Sequence, residues 1–210
     1  MIRIMSSILS DLSAALPASC RTLRHVEAGA ALFRQGDRPR SLFVLLEGRV
    51  DLMRWTASGT AVRLHTVRAG EAVAEASLFS ERYHCDAVAP TGTQVSAFEL
   101  GAIRRACEAT PSLAFALMRH LALSLRDARR IIELRTINPL AQRLVARLSD
   151  LADEGGALPA QLRMKDVAEE IGATPEATYR TLAALADDGL LERCGRGRFR
   201  VPVPEPPEQP

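Results

Sequence analysis

Lysine is almost missing from these 210 residues: Lys165 stands alone, and the formal net charge is only +2. From Asn138 onward nine basic residues face twelve acidic ones, so bulk charge cannot draw this end of the chain to nucleic acid. Any such role rests on where individual arginines stand. Cysteine is also sparse. Cys20, Cys85, Cys107 and Cys194 are scattered, with no C-x-x-C pair and no Cys/His cluster, so neither a zinc site nor a disulfide framework is expected. No apolar run approaches the roughly 20 residues of a membrane span. The opening MIRIMSSILSDLSAALPAS lacks the unbroken apolar stretch of a secretory leader. The expectation is a cytoplasmic protein with no membrane partner. No nucleophile–base signature or metal motif is visible, which leaves an enzyme as the poorest reading.

What the chain does have is apolar content, at 47% hydrophobic residues, enough to build a proper core in one large or two small domains. In the first half Gly29, Gly36, Gly48, Gly59 and Gly70 recur at mostly eleven- to twelve-residue intervals. Between them Ser41–Leu46, Arg49–Trp55 and Val62–Val67 are β-branched or alternating, as Val62 and Leu64 alternate with Arg63 and His65. Regular short strands punctuated by glycine predict an antiparallel barrel or jelly roll. Ser112–Arg135 is then a long run without glycine or proline. In it Ala114, Met118, Leu121, Leu125, Ala128 and Ile132 fall at spacings of four and three, a heptad seam fit for a twin helix. Packing of that helix on its own roll is the plainer alternative. Asn138-Pro139 ends it and forms a hinge.

The most specific stretch is Leu162–Arg200. A helix over about Met164–Ile171 ends at Gly172, which can take the positive φ of a tight turn. Thr174 is placed to cap the next helix and Pro175 to start it, and the helix stops at Gly189. Thr178, Leu182 and Leu185 share one stripe of that helix; Glu176, Tyr179, Arg180 and Ala183 share another. The first stripe suits a core and the second a DNA groove. An arginine donates two parallel hydrogen bonds to guanine, and a carboxylate accepts from cytosine N4. A Glu–Arg pair one turn apart is also a common ornament of exposed helices; the turn, the cap and the basic segment that follows favour recognition. GRGRFR fits a β-hairpin wing whose Arg193, Arg196, Arg198 and Arg200 reach phosphates.

IGATPEATYRTLAALADDGLL resembles the recognition element of the CRP/FNR family of bacterial transcription regulators, roughly G-x-[ST]-x-E-x-x-x-R. Glu176 and Arg180 fall on the positions that read the TGA core of each half-site in that family, with Thr174 and Tyr179 beside them. FRQGDRPRSLFVLLEGRVDLM and GEAVAEASLF look like its cyclic-nucleotide-binding β-roll. The resemblance implies an α+β chain. Its parts are a jelly-roll-like antiparallel sensory β-roll (21–110), a long dimerisation helix (111–137) and a winged helix-turn-helix (138–202); the resemblance leaves out an N-terminal segment (1–20) and the Pro-rich tail (203–210), which cannot bury apolar surface and is expected to be disordered. It implies a homodimer paired through Met118, Leu121, Leu125, Ala128 and Ile132 that binds double-stranded DNA at a palindrome, with RNA polymerase as a further partner. A ligand-binding module acting through protein contacts is the alternative.

Against the family's F-G-E-L-x-L-F…R-S-A pattern the chain reads Val73-Ala74-Glu75-Ala76-Ser77-Leu78-Phe79 and then His84-Cys85-Asp86. Glu75 holds the carboxylate position that meets a ribose hydroxyl, and Ser124 falls where a hydroxyl would meet the base. His84 replaces the phosphate-binding arginine, and Arg82 comes two residues early. A neutral imidazole lacks the fixed charge and paired donors of a guanidinium, so cyclic AMP is not the expected effector. The iron–sulfur cluster of the oxygen-sensing branch is not supported, since Cys20 stands alone. Heme at His84 and Cys85 is a lesser alternative to a packed histidine beside a buried thiol, because neighbours on a strand point to opposite faces. His25, His65 and His120 read as isolated. The effector itself is unknown.

Overall fold

The computed structural model describes residues 2–160, 162–195 and 198–202, with side chains described from Ile8 onward. The expectation of disorder over 203–210 lies outside the described residues. The chain divides into two compact units between Ser124 and Leu125.

The first unit opens with helix α1 (Ile2–Ala15); Ile8 and Leu12 on it and Leu16 just past its end recur every fourth residue and are buried. Eight strands follow: β1 (Arg21–Val26), β2 (Ala31–Phe33), β3 (Ser41–Glu47), β4 (Arg49–Trp55), β5 (Ala61–Arg68), β6 (Ala72–Val73), β7 (Asp86–Val88) and β8 (Thr93–Glu99). They form two antiparallel four-stranded sheets, ordered β1-β8-β3-β6 and β2-β7-β4-β5. The jelly-roll expectation holds, and the three strands read from the sequence match β3, β4 and β5 to within one residue at each end. Phe43, Leu45, Val95 and Ala97 from one sheet meet Phe33, Val50, Val67 and Ala87 from the other in a shared core. The alternate residues Leu42, Val44 and Phe98 face away from that core. They pack with α1, with helix α2 (Leu100–Ala109) and with Leu113 and Leu117 of helix α3 (Pro111–Thr136). Strand β3 is thus apolar on both faces and reads as an unbroken run LFVLL rather than an alternation.

In the second unit, helices α4 (Leu140–Leu151), α5 (Met164–Glu170) and α6 (Pro175–Asp187) close on a core of Leu144, Leu148, Val167, Ile171, Leu182, Leu185 and Leu191. Strands β9 (Glu192–Arg193) and β10 (Phe199–Arg200) pair antiparallel, and an isolated bridge joins Arg200 to Ala157. The result is a helix-turn-helix with a small sheet at its side.

Gly48 joins β3 to β4 with φ +86°, and a Cβ there would lie 2.5 Å from Thr93 Oγ1 and 2.7 Å from the Gly92 carbonyl oxygen. Gly59, at the tip of the next hairpin, has φ +78° but open space around it. Gly59→Ala should therefore cost only the left-handed backbone strain, roughly 1 kcal/mol. Gly48→Ala adds a clash with main chain and should cost about 2 kcal/mol or more. Chemical denaturation of both variants measures the difference.

Candidate nucleic-acid interface

The turn between α5 and α6 is built as the residue types require. Gly172 has φ +69°, and Ala173 N–H closes back onto the Ala168 carbonyl at 2.8 Å. Thr174 is the N-cap of α6, its hydroxyl accepting from Ala177 N–H at 3.2 Å, with Pro175 in the first turn. The two stripes separate as their spacing predicts. Thr178, Leu182 and Leu185 are buried; Glu176, Tyr179, Arg180 and Ala183 are exposed, Tyr179 to 54%. Glu176 and Arg180 make no ion pair with each other or with any other described residue. The first two turns of α6 therefore present a carboxylate, a phenol and a guanidinium to the outside, none ion-paired among the described residues.

Of the wing arginines, Arg198 and Arg200 are exposed, and Arg196 lies outside the described residues. Arg193 is exposed as well and leans onto α6, donating to Asp187 Oδ1 at 2.8 Å and to the Ala183 carbonyl at 3.3 Å. It braces the wing against the helix while its side chain stays at the surface.

On α3 the seam residues Met118 (53% exposed), Leu125 (51%), Ala128 and Ile132 (66%) lie at the surface, while Ala114 and Leu121 are half-buried. Phe115, at 68%, extends the apolar face. Leu113 and Leu117 point inward, so the plainer reading accounts for one side of the helix and leaves the seam uncovered.

In the roll, Glu75 begins a short 3-10 helix (Glu75–Phe79) behind Ala74, whose φ of 73° is the left-handed value that glycine takes without strain. Burial pushes the Glu75 carboxyl above its ordinary range; its own backbone N–H and the nearby His120 and His65 oppose this, and Glu71 adds to it. His65 Nε2 is 3.8 Å from Glu71 Oε2. His120 Nε2 is buried with no hydrogen-bond partner among the described residues. Two of the three histidines read as isolated, His65 and His120, therefore lie near Glu75, brought there by β5 and α3, while His25 pairs with Glu27; no sequence spacing signals this. Ser124 lies one turn beyond His120 and is half-buried. Arg82 does not join them; its Nη1 donates to the Gly36 carbonyl at 2.8 Å.

His84 and Cys85 sit in bends before β7 rather than on a strand; Cys85 is buried in the roll core as expected, whereas His84 is exposed and not packed, because a bend and not a strand carries it. Burial, with Asp86 beside it, pushes the Cys85 thiol up to about 11, so it is protonated and a poor ligand for soft metals. Arg54 also stands near Cys85, a guanidinium that sequence reading passed over. Among the described residues no three His, Cys, Asp or Glu side chains are grouped to hold a metal, and no helix is long and apolar enough to cross a membrane.

Two family models match, the cyclic nucleotide-binding domain over residues 23–110 and the Crp-like helix-turn-helix domain over 142–205. The "Cyclic AMP receptor protein" of Thermus thermophilus is 31% identical over 178 residues, 82% of this chain and 80% of that protein. The chain belongs to the CRP/FNR family of transcription regulators. The "Global nitrogen regulator" of Synechococcus elongatus is 25% identical, over 80% of this chain and 81% of that protein. Among solved structures, FixK2 from Bradyrhizobium japonicum superposes with TM-score 0.69 at 17% identity, covering 87% of this chain and 93% of that one. The Xanthomonas campestris regulator CLP, titled c-di-GMP responsive, superposes with TM-score 0.64 at 20% identity, covering 94% and 99%. These two likenesses speak to fold alone. As a CRP/FNR regulator the chain carries a helix-turn-helix DNA-binding domain, and its relatives are regulators, not enzymes.

Proposed function

We propose that the protein acts in the cytoplasm as a homodimer, paired along the α3 seam, that binds a pseudo-palindromic DNA site with α6 of each copy in the major groove. The observation that carries this reading is the outward stripe of α6. Glu176, Tyr179 and Arg180 stand exposed on a capped first turn, while the opposite stripe is buried. Arg180 donates to guanine, Glu176 accepts from cytosine, and Arg198 and Arg196 contact phosphates. RNA polymerase is the further partner that family membership suggests. The domain limits follow those read from the sequence, with the roll over 21–110 and the winged helix-turn-helix over 138–202.

The reading expects half-sites carrying TGA and TCA, centred about 10–10.5 bp apart. Arg180→Ala should cost roughly 1–3 kcal/mol of operator binding and relax the preference at the guanine. Fluorescence anisotropy with consensus and scrambled duplexes measures this, and unchanged discrimination would remove Arg180 from recognition. For the dimer, Leu121→Glu sets a carboxylate against its own symmetry mate in an apolar seam. Monomers by light scattering, with the roll still folded, are expected; a dimeric variant would move the interface elsewhere.

The roll is proposed to sense a small molecule other than cyclic AMP at Glu75, His120 and Ser124. Glu75 has imidazoles and a second carboxylate around it, and Arg82 is committed to Gly36. A ligand shifts DNA affinity only by its differential affinity for two conformations, so cyclic AMP should leave operator affinity unchanged. Tight binding by calorimetry together with tighter operator binding would overturn this and assign the phosphate to Arg54 or Arg82.

A further inference from the structure

The last turns of α3 belong to the second unit, and a set of arginines ties them to the helix-turn-helix. Arg130 makes a bidentate pair with Asp150 near the end of α4, Nε to Oδ2 at 2.8 Å and Nη2 to Oδ1 at 3.2 Å. Arg135 reaches past α4 to the end of α5. Its Nε donates to the Glu170 carbonyl at 2.9 Å and its Nη2 to the Glu169 carbonyl at 3.4 Å. Those carbonyls belong to the last turn of α5, where the helix dipole favours a cation; Glu169 also accepts from Gly172 N–H at 3.2 Å, whereas Arg135 supplies the donor for Glu170. Glu170 itself is held from the other side by Arg147, at 2.6 and 3.0 Å. In return Arg143 of α4 donates to the Arg135 carbonyl at 3.3 Å, closing the end of α3. The chain between α3 and α4 is only Ile137–Pro139. With these bonds across it, that segment is spanned on two sides.

What Arg135 holds is close to the DNA-reading helix. Two residues after Glu170 comes Gly172, and Thr174 caps α6; the Arg135 side chain lies 3.9 Å from where a Cβ on Gly172 would stand. We propose that Arg135, supported by Arg130, is a positioning residue for DNA recognition. It fastens the α5–α6 turn to the end of α3, so that α6 moves with the last turns of α3. The proposal rests on the dimeric DNA-binding reading above. In such a dimer the separation of the two α6 helices is then set by α3 and not by slack at Ile137–Pro139.

The test uses the full chain with Arg135→Ala, Arg135→Lys, Arg130→Asp and the swap Arg130→Asp with Asp150→Arg. Duplexes carry the half-sites at the preferred spacing or with one base pair inserted. Arg135→Ala should bind the preferred operator about tenfold more weakly, a difference of about 1.4 kcal/mol. It should discriminate less against the inserted spacing, bind scrambled DNA as before and remain dimeric. Lysine, lacking the paired donors, should not rescue, whereas the swap should recover what Arg130→Asp loses. In the absence of DNA, hydrogen exchange over residues 171–178 should quicken in Arg135→Ala while peptides around Leu182 keep their protection. Wild-type spacing discrimination in Arg135→Ala would overturn the proposal, as would exchange that rises equally throughout the second unit, the mark of a purely structural role. If exchange responds as expected but the wild-type protein shows no site preference at all, the fastening stands and the DNA-binding reading falls.

Discussion

One helix with apolar residues on two sides governs this structure. Helix α3 spends Leu113 and Leu117 on the core that joins α1 and α2 to the roll, and Leu134 is fully buried in the second unit. That leaves Phe115, Met118, Leu125 and Ile132 in water, each more than half exposed. Isolated surface leucines are ordinary, but a row at heptad spacing along 26 residues is not. Burying a side chain of that size is worth about 1.5–3 kcal/mol. A second copy of the same helix, related by a two-fold axis, offers the identical row at matching height. The dimer we propose is the arrangement that satisfies the face the single chain cannot.

The parts that were legible in the sequence are those whose cause is local. Thr174, Pro175 and Gly172 each act within a few residues, through a cap, a fixed φ and a positive φ, so α6 and its turn could be placed without a fold. The β-strands were legible where the period or the glycine spacing was strong. Helix α1 was passed over although Ile8, Leu12 and Leu16 carry a helical spacing that could have found it. The rest depends on contacts far apart in the chain. Nothing near His120 announces Glu75, which is forty-five positions away; only the packing of α3 against the roll brings them together. The partner of Arg193 was not legible for a related reason. Nothing in the wing announces that Asp187, six residues back, stands 2.8 Å from its guanidinium.

Pairing also bears on how an acidic segment can serve DNA. Asp150 is neutralised by Arg130 from before the segment, while Glu170–Arg147, Asp166–Arg163 and Asp187–Arg193 cancel within it and leave its acid excess otherwise unchanged. Arg147 and Glu170 are opposite charges 2.6 Å apart, so their fields largely cancel outside. Asp166 is almost fully buried, which in an unpaired carboxylate would be costly; the bidentate Arg163 contact offsets it. At the surface of α6 and the wing, Arg180, Arg198 and Arg200 stand exposed together with the carboxylates of Glu176, Asp188 and Glu192. A protein of this kind has weak long-range attraction for DNA and depends on contacts made after arrival. Its affinity should accordingly follow base contacts and the rigid placement of α6 more than salt concentration. The arginines at the end of α3 then carry more of the discrimination than their distance from the bases suggests.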